Sequence, residues 1–156
     1  MALPPCGLYR TTAVVAGIPA GRLVYFHNHG NPGAGLYLPQ SWTLNRAQWN
    51  RQGHTLPDEQ SASSLAPLPA EGLYVVKSTF HCCEKKCVEY PAQQLVQLGY
   101  DGEATPLLFI PEFTARGLGF PERGQKLDAA HFGKMELVRV AQGREEQSAP
   151  AGGFVH

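Results

Sequence analysis

PAGRLVYFHNHGNPGAGLYLP, residues 19–39, lies over PAQQLVQLGYDGEATPLLFIP, residues 91–111, without a gap. Pro19, Ala20, Leu23, Val24, Gly30, Leu36 and Pro39 recur as Pro91, Ala92, Leu95, Val96, Gly102, Leu108 and Pro111, at a constant offset of 72 residues. Ordinary residue frequencies give about one or two such identities by chance. Phe26/Leu98, Tyr37/Phe109 and Leu38/Ile110 are conservative pairs. The match extends both ways once short gaps are admitted. Gly7-Leu8-Tyr9 returns as Gly72-Leu73-Tyr74, and Trp49, Gly53, Leu56 and Asp58 return as Phe120, Gly124, Leu127 and Asp128. Preserved order at a fixed period signals an internal repeat.

The unit reads as β structure in both copies. Residues 8–15 and 73–80 are rich in β-branched and aromatic side chains and predict a first strand. Residues 22–26 and 94–98 predict a second, and residues 36–38 and 107–110 a third. Asp101-Gly102 is a hairpin turn signal between the second and third strands, and residues 29–33 do the same service in the first copy. Pro39 and Pro111 cannot donate to a ladder and mark the end of the third strand. Asp58 and Asp128 are N-cap residues for short helices over 59–65 and 129–135. Residues 65–68 and 136–140 close each unit. The expected fold is mainly β: a tandem duplication of a small SH3-like barrel, about four strands plus a short helix per copy, with pseudo-two-fold symmetry. The expected organisation is a first unit over 1–69, a second over 70–141 and a disordered tail over 142–156.

Composition bounds the partners. The 17 glycines and 13 prolines lack a collagen-like period and read as turns. Thirteen basic residues balance thirteen acidic ones. The basic excess or face of a nucleic-acid binder is absent, so another protein is the expected partner. No apolar run approaches the roughly 20 residues of a membrane span, and the N-terminus does not read as a signal peptide. The four cysteines are not spaced as a disulfide framework. These features lead to an expected cytoplasmic location.

The two copies differ most between their first and second strands. Residues 10–18 make that connection in the first copy and residues 75–90 in the second. The surplus holds His81-Cys82-Cys83-Glu84-Lys85-Lys86-Cys87. The shared fold does not require it, which makes it a candidate site. Cys82, Cys83, Cys87 and His81 offer sulfur and nitrogen donors of the kind zinc prefers, and the lysines favour thiolate. The spacing supplies only one C-x₂₋₄-C pair, so completion of four ligands calls on Cys6, His27 or His29. A Cys83–Cys87 or Cys82–Cys87 disulfide and ordinary thiols are the alternatives. His27 and His29, two apart, would share one face of an extended strand.

Trp42, Trp49, Arg46 and Arg51 form a second candidate, an aromatic and cationic surface suited to an acidic or carboxylate-bearing protein partner. Core packing is the competing role for both tryptophans. No nucleophile elbow, P-loop or H-E-x-x-H motif is present. The sequence therefore points to a non-catalytic binding or scaffold protein of two β modules with a structural zinc or disulfide in the second. The alternative is a redox- or metal-dependent enzyme or sensor using Cys82, Cys83 and Cys87.

Overall fold

The computed structural model describes residues 3–30, 33–82, 85 and 88–141. The protein is mainly β. β1 (Gly7–Thr11), β2 (Leu23–His27), β3 (Gly35–Tyr37), β4 (Pro39–Thr43), β5 (Arg46–Trp49), β6 (His54–Thr55) and β7 (Leu65–Pro67) occupy the first half. β8 (Gly72–Val76), β9 (Phe80–His81), β10 (Glu89–Tyr90), β11 (Leu95–Tyr100), β12 (Pro106–Phe109), β13 (Glu112–Thr114), β14 (Gly117–Gly119), β15 (Gln125–Lys126) and β16 (Met135–Leu137) occupy the second.

The strands form two five-stranded antiparallel sheets, ordered β6-β3-β2-β1-β7 and β15-β12-β11-β8-β16. Neither sheet closes into a barrel, which corrects the expectation from sequence. Barrel closure needs edges long enough to pair, and the edge strands have only two or three residues each. The short helices are single 3₁₀ segments, Glu59–Ser64 and Ala129–Lys134, immediately before β7 and β16. Asp58 caps the first by accepting from the Ser61 N–H at 2.8 Å, and Asp128 caps the second by accepting from the Ala130 N–H at 3.0 Å.

Two hairpins, β4–β5 and β13–β14, project from the sheets. Sequence reading left both as loose connections. The first turns through Leu44 and Asn45, both at positive φ (51° and 66°). That is the conformation of a two-residue hairpin turn, normally announced by Asn-Gly. Leu-Asn hides the signal, and Asn45 is a residue type that tolerates the left-handed region.

Alternation along the strands sorts side chains into two cores. Val24 and Phe26 point into a first-half core with Tyr9, Val15, Ile18, Leu36, Leu56 and Leu65. Leu23 points the other way, into a second core made mostly by Tyr74, Val76, Val96, Leu98, Tyr100 and Leu108. Leu8, Ala47 and Trp49 of the first half join it. The halves thus share a core. Backbone and side chains also bond across the join: Leu23 N–H donates to Gly102 O at 3.0 Å, and Trp42 Nε1 donates to Tyr100 O at 2.9 Å.

Between β8 and β11, β9 and β10 pair with each other alone. Cys83 and Cys87 lie outside the described residues, as does the segment 142–156. No helix among the described residues is long and apolar enough to cross a membrane.

Candidate metal centre

β1 and β2 pair with Gly7 opposite Phe26, which sets the residues just beyond, Cys6 and His27, level with one another. Cys6 Sγ lies 3.4 Å from Nδ1 of His27. His29 follows two residues later, and its ring centroid is 4.0 Å from that of His27. Sγ of Cys6 and one ring nitrogen from each histidine all lie within 4.8 Å of one another. Tetrahedral zinc, with Zn–S near 2.3 Å and Zn–N near 2.0–2.1 Å, sets its sulfur and nitrogen ligands about 3.6 Å apart. The three groups could hold a metal ion.

Asn28 braces the group. Its N–H donates to Cys6 Sγ at 3.3 Å, and its Nδ2 donates to Pro4 O at 3.1 Å. Its Oδ1 sits 3.3 Å from Cys6 Sγ and 2.7 Å from Nδ1 of His29. Tyr9 anchors the approaching segment by donating to Pro5 O at 2.7 Å.

Electrostatics favour a neutral imidazole at His27. It is 7% exposed, and its Nε2 has no hydrogen-bond partner. Burial, and secondarily the neighbouring His29, lower its pKa below the usual histidine value. A neutral imidazole is the form that ligates a metal.

The residues singled out in the second half are placed differently. His81 Nε2 faces Glu89 Oε1 at 3.6 Å. Cys82 is buried in the second core, where its N–H donates to Val88 O at 2.9 Å and its sulfur accepts from the Val88 N–H at 3.3 Å. Among the described residues, neither joins a group of three potential metal ligands.

The aromatic and cationic candidates divide. Trp49 is 9% exposed in the shared core, 5.7 Å from the Tyr25 ring. Trp42 is 42% exposed and rests on the second sheet. Arg46 lies half-buried near the carboxylate of Glu71 and offsets part of the pKa rise that burial imposes there. Arg51 is exposed. Arg46 and Trp49 line one cavity, together with Tyr25 and Glu71.

Comparison with known proteins found no matching family model, no matching curated protein and no matching solved structure.

Proposed function

We propose that this chain is a non-catalytic binding protein made of two copies of one β unit, the first of which holds a zinc ion through Cys6, His27 and His29. The observation carrying the metal reading is the convergence of one exposed thiol and two imidazole rings, whose ligand atoms all lie within 4.8 Å of one another. Sulfur and imidazole donors suit zinc better than the hard ions that prefer oxygen. Asn28 Oδ1 or an outside donor would supply the fourth position.

The duplication reading draws support from matched details. Tyr9 and Tyr74 each donate to the carbonyl four residues earlier, both at 2.7 Å. Leu68 N–H donates to Leu8 O, and Val138 N–H donates to Leu73 O. Asp58 and Asp128 cap corresponding 3₁₀ helices. The sheets share one order of connection. Two copies of a unit that buries little surface by itself gain stability by sharing a core.

The test is metal content of purified protein, followed by zinc and cobalt titration. Cobalt should give a thiolate charge-transfer band and tetrahedral visible absorption in the native chain. Zinc should raise the melting temperature, since an ion that binds only the folded state adds about 2.7 kcal/mol at 100 times its Kd. Cys6→Ser should abolish the thiolate band. Absence of both the optical signal and the thermal shift in the native chain would sink the metal reading.

A further inference from the structure

The two projecting hairpins occupy the same place in the order of strands, between the third strand of each half and its short edge strand. Their registers match: Trp42↔Ala47 and Thr43↔Arg46 in the first, Phe113↔Leu118 and Thr114↔Gly117 in the second. Phe113 therefore stands where Trp42 stands. Their surroundings differ, although Trp42 is itself 42% exposed. Trp42 lines an open cavity of about 270 Å³ on the second sheet, together with Tyr100, Gly102 and Phe109. Asn45 and Leu44 at the tip bond to Gln97, and Ala47 is fully buried. Phe113 is 87% exposed, with Leu118 and Ile110 also exposed beside it.

The seat has a counterpart as well. Its floor, the Phe109 ring, is held by Gly124, where an added Cβ would fall 2.7 Å from the ring. In the first half Tyr37 takes the place of Phe109, and Gly53 holds it in the same way, again at 2.7 Å. Asn28, Gly30 and Arg51 correspond to Tyr100, Gly102 and Glu122; Tyr37 packs in part against the shared core and the segment around Pro4 and Cys6 bonds to Asn28, but among the described residues no hairpin bonds to this face. One chain thus carries a seat without its aromatic cover and an aromatic cover without its seat.

We propose that hairpin 112–119 of one chain docks on the Tyr37 face of a second copy, with Phe113 on the Tyr37 ring and beside Arg51. The occupant is a second copy because the contact continues, from one chain into the next, the interface that already joins the halves of each. Arg51 beside an aromatic ring adds a cation–π attraction. One feature sets the inter-chain contact apart from the internal one. Asn45 O approaches Gly99 so closely that a Cβ there would lie 2.8 Å away, and the counterpart of Gly99 is His27. The incoming turn stands off this strand, and Phe113 carries the contact. The union is weaker than the internal one and depends on concentration. It is also heterologous, because hairpin meets seat, so repetition builds open chains or rings.

Sedimentation equilibrium on the full chain, with chelator present so that metal bridging contributes nothing, tests this. The expected result is a weight-average mass that rises with concentration past that of two chains. Phe113→Asp removes the cover and should leave a folded chain of one-chain mass. Gly53→Val drives the Tyr37 ring out of the seat and should do the same, with circular dichroism confirming the fold of each. Mixed together, the two variants should form a 1:1 dimer and stop, because one retains a seat and the other a hairpin. A native chain that stays at one-chain mass through the millimolar range overturns the proposal. So does association that survives Phe113→Asp, or failure of the two folded variants to combine.

Discussion

Asn45 donates a side-chain hydrogen bond to Gln97 across the join between the halves. Asn45 Nδ2 donates to Gln97 Oε1 at 3.0 Å, and Gln97 Nε2 donates to the carbonyl of Leu44, the residue before Asn45, at 2.9 Å. Asn45 Nδ2 also reaches Pro121 O at 2.9 Å. Gln97 is buried, so these bonds satisfy an amide that water does not reach. Asn45→Ala or Gln97→Ala should each destabilise the protein by about 1–3 kcal/mol, because each leaves a polar partner unpaired. Denaturant melts of the single and double variants should show coupling of about 0.5–3 kcal/mol. Simple additivity would mean that the two residues act independently.

Gly99 and Gly133 should respond in opposite ways to a side chain. At Gly99 the Cβ position lies 2.8 Å from backbone oxygen of Asn45, so Gly99→Val must push the hairpin off the sheet. Overpacking of this kind costs about 1–3 kcal/mol. At Gly133 a Cβ meets nothing within 4 Å. Gly133→Ala should be neutral or stabilise by up to about 1 kcal/mol through the unfolded chain. Equal effects at both sites would show that the hairpin does not press on Gly99.

Glu71 holds the hairpin from the other side. Its Oε2 accepts from the N–H of Ala47, which is fully buried, at 2.9 Å. Glu71→Ala strands that N–H and should cost about 1–3 kcal/mol. Burial raises the Glu71 pKa, while the hydrogen bond and Arg46 oppose the rise. A carboxyl raised in the folded state favours folding when protonated, and that contribution is lost as pH climbs through the folded value. Glu71→Gln retains an acceptor without this titration. It should therefore cost less than Glu71→Ala at neutral pH, as urea melts of the two variants would reveal.

His27 gives the metal-free protein an acid-sensitive side. Its folded pKa is lowered by burial and then by His29. The unfolded chain therefore takes up a proton first, near pH 6.5. Stability from this group is fully present above that value and lost as pH falls through it toward the lowered folded value. The melting temperature of the apoprotein should drop between pH 7.5 and 5.5 by more in the native chain than in His27→Gln. An equal drop in both would assign the acid sensitivity elsewhere.

The pattern of strands was legible in the sequence because its causes are local. Alternating apolar residues such as Val24 and Phe26, the Asp101-Gly102 turn and the Asp58 and Asp128 caps act within a few residues of themselves, and each appears where the sequence puts it. The repeated order of those signals also pointed to two like sheets. Closure was not legible. Whether edges meet depends on strand length and curvature, and β6 and β15 are too short to pair twice. The Leu44-Asn45 turn escaped notice because its backbone conformation is imposed as much by the seat on Gln97 as by its own residue types.

The chemistry divides along the same line. The sequence alone determined that thiols and imidazoles are available, and that His27 and His29 lie two residues apart with Gly99 and Asp101 as their counterparts in the second half. Only the tertiary structure decided which thiol they meet. Cys6 is 21 residues from His27 along the chain, and the β1–β2 register brings its sulfur within 3.4 Å. Likewise, sequence supplied Trp42 and Phe113 as similar aromatics, while packing set one against the second sheet and left the other 87% exposed. Contacts between distant residues depend on how whole sheets lie against one another, and no local pattern encodes that placement.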